Sequence, residues 1–294
     1  MSHLLTVCIP TFNRQKFLSW AIDKTVLALP ESKIVVSDNA SYPFTTVPKR
    51  VRLIRQDQNI GPFPNMRAAL LAADTKYCCF LADDDYLIGD EVFRAVKYLE
   101  EHPEVVCYYA PCAVYDELAG APVFHAFYTA MDETISDPVR LWNFVINRHV
   151  WPEHAIYRRD GLEEILAPRG PPYWCFTDLA NAFAMGPVHF AQLPYYRNLT
   201  THPLGERKKL GDAQALIEFD AYRWGLEILA HDIFADRLTD NEWKEKVHEG
   251  IQIFMYTRIK LAHVLMERNG HDYLAQMYQK RLDMFFGIES KLWC

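Results

Sequence analysis

Short apolar runs alternate with longer segments of helical periodicity along the first 115 residues. The runs are rich in β-branched and aromatic residues and predict buried strands at 4–10, 33–37, 51–55, 76–82 and 105–115. Apolar positions spaced three and four apart predict helices at 15–29, 66–73 and 91–102. Strands that alternate with helices of this length indicate βαβ units. We therefore expect an α/β fold with a mostly parallel, Rossmann-like sheet flanked by helices.

The alternation ends near residue 116. The segment 145–204 is rich in Trp, Tyr, Pro and His, and amphipathic helices are predicted at 213–230, 242–266 and 272–286. We therefore expect a first α/β half over 1–115, a second half of the same domain over 116–210, and a helical C-terminal extension over 211–294. The extension helices suit packing on the domain or between two copies in a homo-oligomer. Their mixture of aromatic and basic residues also suits peripheral contact with a membrane.

Polar residues follow the ends of three predicted strands. They are Thr11 and Asn13, Asp38 and Asn39, and the acidic run Asp83-Asp84-Asp85. The carboxyl ends of parallel strands meet at one edge of a sheet, where ligands bind. Three successive carboxylates at such an edge suit a divalent cation such as Mg²⁺ or Mn²⁺. The alternatives are a solvated acidic loop or a helix N-cap for the run, and an Asx-type turn for Asp38.

Two further polar residues stand out in the second half. Asp178 lies among aromatic residues in the segment WCFTDL, and such surroundings suit a general base. The alternative is that Asp178 caps a helix over 178–185. His202 precedes the basic stretch Arg207-Lys208-Lys209, so it could serve an anion or a metal ion, or be structural.

Charge and cysteine usage narrow the partners and the compartment. A net charge of -7 and a pI near 5.9 argue against nucleic acid as a partner. The seven cysteines show no CxxC spacing and suit reduced, buried thiols. No signal-peptide pattern opens the chain, and no apolar run is long enough to span a bilayer. We expect a cytoplasmic protein, free or at the inner face of the membrane.

Four segments together resemble the donor-binding half of glycosyltransferase family 2, whose members have the GT-A fold. They are TVCIPTFNR, IVVSDNAS, NIGPFPNMRAAL and YCCFLADDDYL, which follow the family's order and spacing over about 4–115. A later block, FTDLANAFAMGPVHFAQLPYYRNLTTH, resembles the family's acidic pair, helix and Tyr-Arg strand. Thr177 departs from this pattern, because an acidic residue usually precedes the position of Asp178. Nothing beyond about residue 210 carries the resemblance.

The resemblance implies a role for each matching residue. Those that would contact the donor nucleotide are Pro10, Thr11, Asn13, Arg14, Asp38, Asn39, Asn59, Gly61, Asn65, Asp83 and Asp84. Asp38 would read the base. The acidic run stands at the family's DXD motif, so Asp85 would be the direct ligand of Mn²⁺ or Mg²⁺, with His202 approaching the metal. Asp178 would be the catalytic base.

The implied activity is that of an inverting, metal-dependent glycosyltransferase of hexosyltransferase type. It would move a sugar from a nucleotide-sugar donor, with UDP-sugars favoured, to a saccharide or lipid-linked saccharide, in surface polysaccharide or glycoconjugate synthesis. Candidate contacts for the diphosphate or the acceptor are Arg197, Arg207, Lys208, Trp151, His154 and Trp174, of which the aromatic ones equally suit the core. Two alternatives remain, a non-catalytic nucleotide-sugar-binding protein and a nucleotidyltransferase. The latter normally carries a Gly-rich phosphate loop, which PTFNRQKF lacks.

Overall fold

The computed structural model describes residues 2–125, 131–170, 173–205, 212–268 and 270–285, and it contains two β-sheets. The strands are β1 (Leu5–Thr11), β2 (Lys33–Asp38), β3 (Arg52–Arg55), β4 (Tyr77–Phe80), β5 (Tyr86–Leu87), β6 (Cys107–Tyr109), β7 (Cys112–Asp116), β8 (Ala121–His125), β9 (Glu133–Ile135), β10 (Ala155–Arg158), β11 (Val188–Phe190) and β12 (Tyr196–Thr201). The helices are α1 (Gln15–Ala28), α2 (Pro62–Leu71), α3 (Gly89–Glu101), α4 (Pro138–Asn147), α5 (Leu162–Ile165), α6 (Trp174–Met185), α7 (Asp212–Ile233), α8 (Asn241–Arg268) and α9 (Asp272–Leu282).

The larger sheet has the strand order β3-β2-β1-β4-β10-β6-β11-β9. Strand β1 is parallel to its neighbours β2 and β4, and β2 is parallel to β3. Strand β10 is antiparallel to β4 and β6, and β9 is antiparallel to β11. The predicted α/β fold is confirmed. Strands β3, β2, β1 and β4 form an uninterrupted parallel half of the sheet. The carboxyl ends of these strands lead into the polar clusters.

The run predicted as a single strand at 105–115 forms two strands in two sheets, so that prediction is wrong. Strand β6 pairs with β10 and β11 in the larger sheet. Strand β7 pairs with β12 and β8 in a smaller sheet of order β5-β12-β7-β8. Ala110 and Pro111 separate the two strands, and proline has no N–H with which to continue a ladder. Apolar residues on both sides of the break conceal it in the sequence.

Helix α2 begins at Pro62, before the predicted start at Met66. Gly61 precedes it with a φ of 91°, a conformation that favours glycine. Proline fits the first turn because an N–H there has no partner within the helix. The predicted polar loop is therefore shorter than expected, and Asn65 lies buried in the first turn of the helix.

Aliphatic side chains of helices α1 and α3 belong to the same buried core as the larger sheet. Helix α1 contributes Leu18 and Ile22, and α3 contributes Val92, Val96 and Leu99. Their three- and four-residue spacing places them on one face of each helix. This packing fixes the sheet whose edge carries the polar residues.

Contacts divide the described chain into two compact units. The first comprises Met1–Ser136, Trp151–Ala167 and Asn181–Lys208, and it holds both sheets. The second comprises Asp137–Val150, Pro168–Ala180 and Lys209–Cys294, and it includes α4, α7, α8 and α9. The boundary between the units falls inside α6. The three helices predicted after residue 211 are confirmed, whereas the division of the chain into functional parts stays a prediction.

The interior of each unit is closely packed. In the second unit, a Cβ atom at Gly250 of α8 would lie 3.1 Å from the Trp142 ring of α4, so a larger residue there would press on this indole. The six described cysteines are buried, as the sequence predicts for them. None of the helices in the described ranges is long and apolar enough to cross a membrane.

Candidate functional site

The ends of β1, β2 and β4 come together at one edge of the larger sheet, as predicted. Thr11 donates a hydrogen bond from Oγ1 to Oδ2 of Asp83 at 2.6 Å. The N–H of Asn39 donates to the carbonyl oxygen of Thr11 at 2.9 Å. Asn65 donates from Nδ2 to the carbonyl oxygen of Ser37 at 3.0 Å. Residues from three strand ends and from α2 therefore form one polar cluster.

The acidic run is buried rather than solvated. Asp83, Asp84 and Asp85 are 5%, 3% and 0% exposed, so the solvated-loop interpretation is wrong. Nη2 of Arg14 lies 2.6 Å from Oδ2 of Asp84, and Nη1 lies 3.3 Å from Oδ1 of Asp83. Burial alone would lower the pKa of Arg14, but the charges of Asp83 and Asp84 outweigh it and raise that pKa. The first two carboxylates thus already hold a cation.

Asp85 faces a different set of partners, which lie on β12. Its Oδ2 accepts hydrogen bonds from the Tyr196 hydroxyl at 2.9 Å and from Nδ2 of Asn198 at 3.1 Å. Its Oδ1 accepts from the N–H of Leu199 at 2.9 Å. Donors that hydrogen-bond an ionised carboxylate stabilise its charge without a metal. Asp85 therefore fastens the acidic loop to the smaller sheet.

Tyr196 ties the same loop at a second point. Its hydroxyl accepts a hydrogen bond from the N–H of Ala82 at 3.0 Å while it donates to Asp85. Burial, and then the charge of Asp85, raises the pKa of Tyr196, so the phenol stays a neutral donor. The His154 ring stacks on Tyr196 with ring centroids 3.8 Å apart and is 7% exposed. Its position favours the core interpretation of His154 over a sugar platform.

His202 lies against helix α1 and is 5% exposed. Its ring contacts Phe17 and Trp20, with ring centroids 4.8 and 4.5 Å away. Its Nδ1 accepts a hydrogen bond from the N–H of Leu204 at 3.1 Å. A neutral imidazole that accepts at Nδ1 carries its proton at Nε2, and a protonated nitrogen cannot bind a metal. Ligation through Nε2 would require the loss of this hydrogen bond.

The predicted diphosphate contacts divide into two groups. Arg197 donates from Nη1 to the Tyr86 hydroxyl at 2.6 Å, and its guanidinium lies 4.4 Å from the centre of the Tyr115 ring. Both contacts engage the Arg197 guanidinium with residues of the smaller sheet. Arg207 and Lys208 lie outside the described residues, so their role stays a prediction.

Asp38 makes the turn that its sequence context suggests and also pairs with a cation. It is fully buried, and its Oδ1 accepts a hydrogen bond from the N–H of Ser41 at 3.1 Å, which bears out the Asx-type interpretation. Its Oδ2 lies 3.5 Å from Nε of Arg55, the residue opposite Asp38 in the register of β2 and β3. The turn and a ligand-binding role are compatible, because they use different oxygens.

The asparagines build a frame around the loop before α2. Asn39 donates from Nδ2 to Oδ1 of Asn59 at 2.9 Å and to the carbonyl oxygen of Gly61 at 3.2 Å. Oδ1 of Asn39 accepts from the N–H of Ile60 at 2.8 Å. Nδ2 of Asn65 reaches back to Ser37, as described above. Both amide atoms of Asn39 are thus used to hold the loop in place.

Asn13 braces the loop that follows β2. Its N–H donates to Oγ of Ser41 at 2.8 Å, and its Oδ1 accepts from the N–H of Tyr42 at 2.8 Å. Its φ of 56° is one that asparagine tolerates better than most residues. Pro10 lies within β1, one residue before Thr11. The predicted nucleotide contacts at this edge therefore also shape the edge itself.

Asp178 lies inside α6, in the second turn after the start at Trp174. The interpretation of Asp178 as the N-cap of a helix over 178–185 is therefore wrong, because the chain is already helical there. The residue is 6% exposed. Trp174 and Trp151 are half-buried. The roles of Asp178 as the base and of the two tryptophans as acceptor contacts stay predictions.

Sequence reasoning missed Arg55, Asn198 and Ser41. Arg55 could have been found, because the predicted strands at 33–37 and 51–55 end side by side if they pair in parallel. Asn198 carries no comparable signal, since it lies 113 residues from Asp85.

Two groups of carboxylate oxygens at this edge could hold a divalent cation, and the roles of Asp85 and His202 as metal ligands stay predictions. Asp83 and Asp84 supply hard carboxylate oxygens that already bind the Arg14 cation. Asp85 and His202 are engaged with β12 and Leu204. Within the described ranges, no three His, Cys, Asp or Glu side chains form a group able to hold a metal ion. Mg²⁺ and Mn²⁺ commonly bind through one or two carboxylates and a substrate's phosphates.

Sequence comparison matches the chain to a family and to several relatives. The profile of Glycosyl transferase family 2 matches residues 6–166. An uncharacterized protein of Mycobacterium tuberculosis is 26% identical over 162 residues, which is 51% of this chain and 45% of that protein. Abequosyltransferase RfbV of Salmonella typhimurium is 27% identical over 119 residues, 35% of this chain and 34% of RfbV. The match spans less than half the length of these curated relatives.

Two solved structures share the fold. Staphylococcus aureus TarS 1-349 in complex with UDP has a TM-score of 0.54 at 13% identity, covering 94% of this chain and 90% of that one. Mannosyltransferase PcManGT from Pyrobaculum calidifontis, in complex with GDP-Man and Mn²⁺, has a TM-score of 0.54 at 14% identity, covering 96% and 84%. The mostly parallel sheet and its helices are those of the GT-A fold. With the profile matching more than half of its residues, the chain belongs to Glycosyl transferase family 2.

Proposed function

We propose that the protein transfers a sugar from a nucleoside-diphosphate-sugar donor to an acceptor hydroxyl with inversion. The observation that carries the proposal is the buried pair Asp83–Asp84, which lies at the end of β4 and bonds to Thr11 and Arg14 at the end of β1. A carboxylate pair that holds a cation beside polar strand ends suits a diphosphate and its counter-ion. The family membership supports the same reaction class.

Asp83 and Asp84 would hold Mn²⁺ or Mg²⁺ at the donor diphosphate. When bound, such an ion neutralises the negative charge that grows on the leaving nucleoside diphosphate. Arg14 would release the carboxylates and remain near the phosphates as a second positive charge. Asp85 would position the loop through Tyr196 and β12. We therefore move the proposed metal ligand from Asp85 to Asp83 and Asp84.

Asp178 is the proposed general base. Its carboxylate would accept the proton of the acceptor hydroxyl as that oxygen attacks the anomeric carbon, opposite the departing diphosphate. The C1–O bond to the diphosphate breaks as the new glycosidic bond forms, which inverts the anomeric configuration. Trp151 and Trp174 are the proposed acceptor contacts.

The proposed donor is a uridine, thymidine or guanosine diphosphate sugar, with uridine favoured by the resemblance to the family. The neighbouring structures contain UDP and GDP-Man, and one relative is named for abequose transfer. The proposed acceptor is a saccharide or lipid-linked saccharide of a surface polysaccharide or glycoconjugate. We place the reaction in the cytoplasm, where reduced cysteines persist.

A thermal-shift screen over nucleoside diphosphates with and without Mn²⁺, followed by a donor-hydrolysis assay, tests this function. We expect one diphosphate to stabilise the protein when Mn²⁺ is present, because a ligand that binds only the folded state raises its stability. Asp84→Asn should abolish the Mn²⁺-dependent shift. The matched control Asp74→Asn changes an exposed carboxylate paired with Lys33 and should keep the shift. Binding without hydrolysis would favour a non-catalytic binder, and no binding would refute the proposal.

A further inference from the structure

We propose that Arg55 is a specificity-determining residue of the nucleotide site. Together with Asp38, it would select donor bases that present a ring N–H beside a carbonyl group. Uracil, thymine and guanine share this edge, whereas cytosine and adenine present a ring nitrogen lone pair beside an amino group. The inference rests on the proposed donor function and deepens it by naming a class of base.

Strand order places Asp38 and Arg55 at the far end of the same sheet edge. The carboxyl ends of β4, β1, β2 and β3 follow one another in that order. With strands roughly 5 Å apart, Arg55 lies on the order of 14 Å along the edge from the acidic run. A nucleoside diphosphate carries its phosphates at one end and its base at the other. Phosphates at Asp83 and Asp84 would therefore leave the base at the ends of β2 and β3.

Asp38 offers a hydrogen-bond acceptor that the described residues do not use. The side chain is 0% exposed, and its Oδ1 accepts from the N–H of Ser41. Its Oδ2 accepts no hydrogen bond from the described part of the chain, and the Arg55 Nε atom stands 3.5 Å away. A buried acceptor without a hydrogen-bond donor destabilises the folded protein. Such an oxygen suits a donor supplied by a ligand.

Arg55 is held in place and keeps one nitrogen available. Its Nη2 donates to the carbonyl oxygen of Thr45 at 2.9 Å, and its guanidinium lies 4.5 Å from the centre of the Phe44 ring. Its Nη1 makes no hydrogen bond to the residues that the structure describes. The side chain is 39% exposed, so a ligand can reach it. The fixed guanidinium therefore presents a donor next to the acceptor of Asp38.

This pair matches only one kind of base edge. The ring N–H of uracil, thymine or guanine would donate to Oδ2 of Asp38, and the neighbouring carbonyl would accept from Arg55. Oδ2 of Asp38 is buried beside Arg55. On binding, the guanidinium would therefore move away from Asp38 enough to donate a hydrogen bond to the base carbonyl. Cytosine and adenine would instead bring a lone pair against the carboxylate. A site built for a ligand N–H discriminates strongly against analogues that lack it.

Calorimetric titration of UDP, TDP, GDP, CDP and ADP in the presence of Mn²⁺ tests the inference. We expect the tightest of UDP, TDP and GDP to bind at least about tenfold tighter than CDP or ADP, a conservative figure for one mispaired polar group. Arg55→Met keeps an unbranched side chain over Phe44 but loses the charge and the donors. It should reduce that ratio at least about tenfold while leaving the affinity for inorganic diphosphate unchanged.

The matched control is Arg52→Met, at the opposite end of the same strand. Arg52 donates to the carbonyl oxygen of Ala72, away from Asp38, so its loss should leave the ratio unchanged. Equal binding of all five nucleotides by the unmodified protein would overturn the inference and leave the donor function intact. An unchanged ratio in a folded Arg55→Met protein would also overturn the role of Arg55. Failure of every nucleotide to bind would refute the donor function, and the inference with it.

Discussion

Replacing Asp85 with alanine removes the acceptor of three hydrogen bonds that connect the acidic loop to β12. The donors are the Tyr196 hydroxyl, Nδ2 of Asn198 and the N–H of Leu199, at 2.9 to 3.1 Å. A hydrogen bond to a charged group contributes roughly 1.5–3 kcal/mol, and part of that is offset because the buried charge also disappears. We expect the free energy of unfolding to fall by about 3–5 kcal/mol.

The assay is thermal unfolding of the ligand-free protein followed by far-UV circular dichroism. At about 2–4 °C per kcal/mol, Asp85→Ala should lower the melting temperature by roughly 6–20 °C. The matched control is Asp84→Ala. Its partner Arg14 is 39% exposed and can be hydrated, so the control should melt within a few degrees of the unmodified protein but lose Mn²⁺-dependent nucleotide binding.

The two variants separate a structural carboxylate from a metal-binding one. If Asp85→Ala melts like the unmodified protein and loses Mn²⁺-dependent binding, Asp85 is the metal ligand and our reasoning from its hydrogen bonds is wrong. Asp85→Asn offers a graded test, because asparagine keeps the volume and one acceptor. Its melting temperature should lie between those of Asp85→Ala and the unmodified protein.

Three further predictions concern the base, pH and packing. Asp178→Asn should lower the transfer rate by about 10²–10⁴-fold and leave nucleoside diphosphate affinity unchanged; a fully active variant would mean that another residue is the base. Burial lowers the pKa of His189 from 6.5 to about 4, so the unfolded chain binds a proton that the folded protein does not. The associated stability is present above pH 6.5 and decreases toward pH 4. In urea unfolding, the free energy of unfolding of the unmodified protein should fall between pH 7.5 and pH 5, and that of His189→Phe should fall by about 2 kcal/mol less. The control His231→Gln, at an exposed position, should show the same fall as the unmodified protein. Gly89→Ala would place a Cβ atom 2.5 Å from the carbonyl oxygen of Ala28, and urea unfolding should show a loss of about 1–3 kcal/mol; an unchanged midpoint would mean that the two helices move apart freely.

The parallel half of the fold was predictable because its signals are local. Strands β1, β2 and β4 are short apolar runs, and each leads directly into polar residues. Parallel strands place their carboxyl ends on one edge, so the convergence of Thr11, Asp38 and Asp83 followed from the alternation alone. The later strands were harder to assign, since β10 is antiparallel within the same sheet and no periodicity distinguishes an antiparallel strand from a parallel one.

The partners of individual side chains were not predictable in the same way. A run of three aspartates does not reveal that Asp85 faces β12 while Asp83 and Asp84 face Arg14. That difference depends on contacts between residues 70 to 114 positions apart in the chain. The His202 tautomer likewise depends on a local hydrogen bond from Leu204, which the sequence does not show. Residue types indicated a cation site, and only the geometry indicated which carboxylates serve it.

The attachment of Asp85 to β12 has a consequence for the order in which the protein forms during synthesis. Its three donors lie 111, 113 and 114 residues further along the chain. At about 5–20 residues per second, β12 leaves the ribosome roughly 6–23 s after the acidic run. Until then the loop lacks the strand that fixes it, although β1 to β4 can already pair. A nascent chain stalled before β12 would therefore contain the polar sheet edge without a fixed acidic loop.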